Sequence, residues 1–279
     1  MLAWVIYLVG LAIAIAAGAA LALPVSALVR RVTEPGLSVA DALVRGYGKL
    51  VAFLVALAAG TGATLVVCMV VGVGARAFDD EDWRFFHWVA GEQNHAMTQL
   101  MKILTQIGGT LEMRIAAVVV GVILVALKPR FAWVTVLALF CLMALQFELA
   151  QILGLAIHRG HPPVGHGTYP SGGVSRLVAL SGVVLLLVTR MWQVSPWVIR
   201  AGWAVVALLG WTELYSRVYL GKHFVSDAVG GAIFGVMLII AVGVAIGAVT
   251  SNRVTVADSA GTAPDPAPVG ALGQPHESA

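Results

Sequence analysis

The stretch FVSDAVGGAIFGVMLIIAVGVAIGAV, residues 224–249, decides the fold class. Its one charged residue is Asp227, close to the start. A helix of about 20 apolar residues crosses the hydrocarbon core of a bilayer, so this stretch reads as a membrane-spanning helix. Six further segments read the same way: residues 2–25, 51–73, 111–127, 131–157, 174–192 and 197–219. The composition agrees. Of 279 residues, 59% are hydrophobic and 11% charged, with a mean hydropathy of +0.92. Soluble domains carry about 25% charged residues. A soluble enzyme, a disordered chain and a nucleic-acid binder are therefore excluded. The expected class is all-α: a polytopic transmembrane helical bundle embedded in the lipid bilayer.

The loops predict an orientation. Arg30, Arg31, Arg45 and Lys49 separate the first two spans, Lys128 and Arg130 the third and fourth, and Arg190 and Arg200 the fifth and sixth. The positive-inside rule makes these connections cytoplasmic. Residues 76–110, 158–173 and the link at Lys222 then face outward, with the C-terminus inside a plasma (inner) membrane. Residues 2–25 lack the positive start of a signal peptide and are read as a retained extra span. A cytoplasmic linker is expected over 26–48 and a disordered tail over 250–279, where Pro264, Pro266 and Pro268 alternate with other residues. In the 76–110 segment, Asp79-Asp80-Glu81-Asp82 reads as a solvated charge run, because it lacks calcium-loop spacing. The aromatic stretch after it reads as an amphipathic helix in the membrane interface. Cys68 and Cys141 lie in apolar runs and read as packing residues.

Polar groups within membrane proteins are costly and default to a functional reading. Here they collect in two outward connections. One runs Ser216-Arg217-Val-Tyr-Leu-Gly221-Lys-His223-Phe-Val-Ser-Asp227. If the last helix starts near His223, then His223 and Asp227, four apart, share a face. The carboxylate can then fix the imidazole tautomer and free the other nitrogen as nucleophile or base. Arg217 offers a planar fork for phosphate oxygens. Nucleophile, orienter and anion clamp together suggest phosphoryl transfer through a phosphohistidine; the alternative is a polar helix-end network that only seals the bundle. The other connection runs from His158-Arg159-Gly-His161-Pro162 through His166 to Pro170-Ser171-Gly172-Gly173. Ser171 and the amides at this helix start favour an anion, and Arg176 lies one turn further in. A plain N-cap explains Ser-Gly-Gly equally well.

These residues resemble the type 2 phosphatidic acid phosphatase superfamily of membrane lipid-phosphate phosphatases. That family's third motif, Ser-Arg, five residues, His, three residues, Asp, is complete as Ser216, Arg217, His223 and Asp227. The second, Pro-Ser-Gly-His, is Pro170-Ser171-Gly172 ending in Gly173. The first, Lys, six residues, Arg-Pro, aligns on Pro162 and places Gly154 and His161 at its two cations. The resemblance spans roughly residues 49–249, with six spans in the family's order; residues 2–25 add one span to that core.

The resemblance implies a metal-independent hydrolase without a cofactor, its site facing outward. It makes His223 the nucleophile, Asp227 its partner, and Arg217, Ser171 and the Gly172 amide the phosphate ligands. It also leaves no second-motif acid at Gly173. General acid help is worth about 10²–10⁴-fold, so a monoester with its alkoxide leaving group should turn over poorly. A lipid diphosphate, such as a polyprenyl diphosphate, is the expected substrate, because its leaving phosphate is already a weak base. His161 or His166 is the candidate compensating acid or base. Arg176, or else Arg159, is expected to replace part of the missing positive charge. Glu213, one turn before Arg217, is expected to orient it. Glu148 is expected within a span below the site. A non-catalytic lipid-phosphate scaffold and a lipid phosphotransferase are the competing readings. Oligomeric state is not legible in the sequence.

Overall fold

The computed structural model describes residues 2–250 apart from His166, with no side chains described for residues 23–38 and 40. The expected tail after Thr250 and the candidate His166 lie outside the described residues. Among the described residues nine α-helices follow in order: α1 (Leu2–Tyr47), α2 (Lys49–Ala75), α3 (Asp79–Glu92), α4 (His95–Ile107), α5 (Thr110–Leu127), α6 (Ala132–Ile157), α7 (Gly172–Met191), α8 (Pro196–Tyr219) and α9 (Val225–Thr250). No strand occurs among the described residues. Among the described residues seven stretches are long and apolar enough to cross a membrane, in α1, α2 and α5–α9. The chain is a multi-span membrane protein. Helices suit that setting because every backbone hydrogen bond closes within the segment.

The helix ends follow local chemistry. Lys128-Pro129 stops α5, since proline cannot continue the ladder. Ser195 and Pro196 start α8 as cap and first helical residue. Asn94 caps α4, its Oδ1 accepting from the Met97 N–H at 3.0 Å. Packing places α9 at the centre, against α2 on one side and α7 on the other. Its Phe234, Leu238, Val242 and Ile246 are buried in the core. In contrast, α5 is peripheral and turns Leu111, Ile115, Val118 and Val122 outward. Lipid tails are as apolar as these side chains, so such exposure is no penalty in a bilayer. Cys68 is buried in the core, as the packing reading requires.

Three expectations change. The expected linker over 26–48 follows the apolar stretch Leu2–Ala22 and is helical, not irregular: α1 continues to Tyr47. The aromatic stretch forms two short helices, α3 and α4, not one. Met97 and Met101 of α4 are buried with Ala3, Tyr7 and Tyr219, so α4 docks on α8 and α1. The acidic run is only half solvated. Asp79 and Asp82, one helical turn apart on α3, both turn toward Arg159. Asp82 is buried.

Candidate active site

One end of the bundle gathers the close of α6, the loop 158–171, the start of α7 and the α8–α9 turn. The loop leaves α6 at His158, whose left-handed backbone (φ 44) redirects the chain. Tyr169 anchors it: its ring is fully buried and its hydroxyl donates to the Cys68 carbonyl at 2.9 Å. Ser171 caps α7, and its N–H donates to the Asp227 carbonyl at 3.0 Å. The α8–α9 turn pivots on Gly221, at φ +65. The two connections singled out in the sequence therefore meet in space.

His223 sits in the α8–α9 turn, two residues before α9, and is 7% exposed. Burial first, then the charges of Arg217, Lys222 and Arg176, push its pKa down to about 3. The imidazole is thus neutral among three cations, an arrangement that suits an anion beside an unprotonated ring nitrogen. Lys222 is itself lowered, by burial and then by Arg217. Gly167 lies against the ring: a Cβ built there would stand 2.4 Å from Nε2.

The anion ligands divide into paired and unpaired groups. Arg217 Nε donates to Glu213 Oε1 at 2.6 Å, and its Nη2 donates to the Thr105 carbonyl at 3.2 Å. The expected Glu213–Arg217 pair is therefore present, with Glu213 fully buried. Arg176 donates from Nε and Nη2 to the Gly108 carbonyl at 3.3 and 3.2 Å. Its Nη1 lies 3.0 Å from where a Gly172 Cβ would stand, so it folds back over the α7 start. The Ser171 hydroxyl is fully buried and has no hydrogen-bond partner.

Other expected residues are placed differently. Asp227 does not hydrogen-bond to His223, whose buried Nδ1 has no partner. Instead Asp227 Oδ1 accepts from Arg159 Nη1 at 3.1 Å, and Oδ2 accepts from the Phe224 N–H at 3.3 Å. The reason is register: α9 starts at Val225, so His223 lies before the helix and does not share its face. Arg159 is also not a spare phosphate cation. Its Nη2 bonds Asp82 Oδ2 at 2.5 Å, its Nε bonds Asp79 Oδ1 at 2.7 Å, and its Nη1 also contacts Ser226 Oγ. Its guanidinium stands over the Phe224 ring at 5.3 Å. Burial opposes the Arg159 charge, but the surrounding carboxylates outweigh it and raise the pKa above the ordinary arginine value. His161 is exposed, with Nδ1 against the Pro162 carbonyl at 2.9 Å.

The positions of the departed motif residues are occupied. A Cβ on Gly173 would stand 2.4 Å from Arg217 Nη2 and 2.5 Å from Glu213 Oε1. One on Gly154 would stand 3.0 Å from Thr168 Oγ1. On α6 an inward polar group near the site is Gln146, whose Nε2 donates to Ser175 Oγ at 3.0 Å. Glu148 is exposed. Sequence reasoning missed Asp82, Ser226, Lys222 and Gln146. Only the spacing of Asp79 and Asp82 offered a signal.

A family model of the PAP2 superfamily, the phosphatase family whose motifs these residues resemble, matches this end of the chain. Residues 151–250 match the PAP2 superfamily. The PAP2 match is narrower than the 49–249 suggested by span order, but it holds both connections of the site. The fold is similar to the crystal structure of a transmembrane PAP2-type phosphatidylglycerolphosphate phosphatase from Bacillus subtilis, with a TM-score of 0.57 and 20% identity. The alignment covers 64% of this chain and 92% of that one. This likeness shows a transmembrane PAP2-like fold. No curated protein sequence matches the chain.

Proposed function

We propose that the chain is an integral-membrane phosphatase of the PAP2 type. It removes a phosphoryl group from a lipid phosphate or diphosphate through a phosphohistidine on His223, at the outer face of the plasma membrane. The observation that carries the reading is that the two polar connections meet: the Ser171 N–H donates to the Asp227 carbonyl at 3.0 Å and Gly167 lies against the His223 ring. Three cations around an uncharged nucleophile supply the charge that a phosphoryl group needs in transit. The unpaired Ser171 hydroxyl and the α7 start add donors at the same end.

Diphosphate is the favoured substrate class. A phosphate leaving group departs without a proton donor, whereas an alkoxide needs one. The place where such a donor would stand on α7 is Gly173. Asp227 acts through the turn, holding the Phe224 amide beside His223, and moves onto His223 only if Arg159 releases it. Full-length protein in detergent is tested for phosphate release from a polyprenyl diphosphate and from phosphatidic acid. Release from the diphosphate at the higher kcat/KM, abolished in His223→Ala, is expected. Equal or faster release from the monoester rejects the diphosphate preference. Activity that survives His223→Ala rejects the nucleophile. Transfer to an added lipid alcohol instead of water identifies a phosphotransferase, and binding of the lipid phosphate without turnover identifies a scaffold.

A further inference from the structure

The α8–α9 pair is splayed: α9 packs far more extensively on α7 than on α8. Between α8, α9, α3 and the start of α1 lies an apolar hollow of about 150 Å³. Its walls include Ile6 of α1, Phe85 and Trp88 of α3, Trp211 and Leu214 of α8, and Val229 of α9. A second hollow of about 140 Å³ continues it toward the loop 158–171 and reaches Val164 and Gly221. The two share Val89, Val218 and Tyr219 as walls.

The walls are tied in place. Trp211 Nε1 donates to the Tyr7 carbonyl at 3.1 Å and the Tyr215 hydroxyl to the Ala3 carbonyl at 2.7 Å, which fixes α1 on α8. Gln93 Nε2 donates to the Tyr219 carbonyl at 2.7 Å and the Asn94 N–H to the Tyr219 hydroxyl at 3.0 Å, which fixes the end of α3. Protein interiors close-pack and hold few voids larger than a water molecule. An apolar hollow kept open between tied walls therefore points to an occupant, and its aliphatic and aromatic lining suits a hydrocarbon. The place of the hollows agrees. Gly221 lines one and Val225 the other, and His223 lies between these two residues in the α8–α9 turn. From Tyr219 to Trp211 the walls follow α8 for about 12 Å, away from the site and into the depth of the bundle. Val229 is 42% exposed, so the deeper hollow opens to surrounding lipid.

We infer that this seam between α3, α8 and α9 seats the hydrocarbon chain of the substrate, with the phosphate end at the α8–α9 turn; this rests on the lipid-phosphate phosphatase reading above. In a bilayer the seam gains nothing by hiding a chain from water, because lipid tails are as apolar as its walls. It acts by position. A chain threaded past Val218 and Tyr219 fixes where phosphorus stands against the imidazole. A chain too short to enter the seam loses that help and reacts more slowly.

The test compares phosphate release by the full-length protein in detergent from farnesyl diphosphate and from its single-unit counterpart, dimethylallyl diphosphate. Wild type is expected to favour farnesyl diphosphate in kcat/KM. Val229→Trp, which fills the deeper hollow, is expected to lower kcat/KM for farnesyl diphosphate about 10-fold or more and to leave dimethylallyl diphosphate at its wild-type value. Val236→Trp, two turns further along α9, is likewise at an exposed position but lies outside the seam, and should match wild type on both. In Val229→Trp, an equal loss on both substrates, or no loss on farnesyl diphosphate, overturns the inference. A second measurement needs no turnover. A farnesyl diphosphate analogue with a diazirine on its last unit is photolysed on the protein, and its label is expected on α3 or α8 and to be displaced by excess farnesyl diphosphate. Label on α5 or α6, or label on the seam that the excess does not displace, overturns the inference and leaves the seam to bulk lipid. Failure of the phosphatase reading looks different: wild type then releases phosphate from neither compound, or His223→Ala still releases it, and the photolabel alone decides the seam.

Discussion

Burial and the charges of Arg217, Lys222 and Arg176 push the His223 pKa from the ordinary 6.5 down to about 3. Two consequences follow at this one side chain. Down to about pH 4 the imidazole of the folded protein stays neutral, so NMR of His223, assigned by loss of its signal in His223→Gln, should show no protonation near 6.5. A titration centred near 6.5 would mean that the ring is wet and the cations are distant. The second consequence concerns stability. Below 6.5 the unfolded chain takes up a proton that the folded chain refuses, so this group's contribution is lost as pH falls from 6.5 toward 3. Above 6.5 both states are neutral and the group adds no pH dependence. His223→Gln should therefore flatten part of the decline in Tm between about pH 6.5 and 4. An unchanged slope would assign the acid sensitivity to other groups.

Between elements, Arg159 ties the loop 158–171 to α3 through Asp79 and Asp82 and to α9 through Asp227. Removing one partner of a buried ion pair leaves the others uncompensated and costs about 3–5 kcal/mol. Arg159→Ala should lower the thermal stability by that order, and adding Asp82→Asn to it should return part of the loss because the stranded charge goes too. Strictly additive losses would show that the pair is not coupled. The same loop covers the nucleophile through Gly167. Gly167→Ala should push the loop off the His223 ring and lower kcat about 100-fold, as a displacement of about 1 Å at a reacting group can, with the fold intact by thermal unfolding. Wild-type kcat in Gly167→Ala would mean that the loop moves freely. These contacts show where sequence reading ended. The spans were legible because hydropathy is local, and Glu213–Arg217 was legible because both lie on one helix. Arg159 finds its carboxylates 80 and 77 positions away on α3, a distance no spacing rule bridges. On α6, apolar almost all round, nothing in the pattern set which of Gln146 and Glu148 faces inward.

For the molecule as a whole, the bundle has two chemically different ends. Asp79, Asp82, Arg159, His223 and Asp227 occupy one. Lys128 and Arg130 follow the far end of α5, and Arg190 closes α7 away from its Ser171 cap. The Tyr215 hydroxyl donates to the Ala3 carbonyl at 2.7 Å, so α1 begins near the site end of α8. Because α9 runs from the site to Thr250, it ends at the side of the bundle that carries Lys128, Arg130 and Arg190. By the positive-inside rule we propose that this end lies in the cytoplasm and that the site faces out. Single cysteines test this in intact cells with a membrane-impermeant thiol reagent, after Cys68 and Cys141 are changed to alanine. Gly160→Cys, in the exposed part of the loop 158–171, should label in intact cells. Ser259→Cys should label only after the membrane is opened. The reverse pattern would turn the molecule over. The neutral His223 and its cations would then meet only lipid phosphates of the inner leaflet, and the substrate search would move to that side of the membrane.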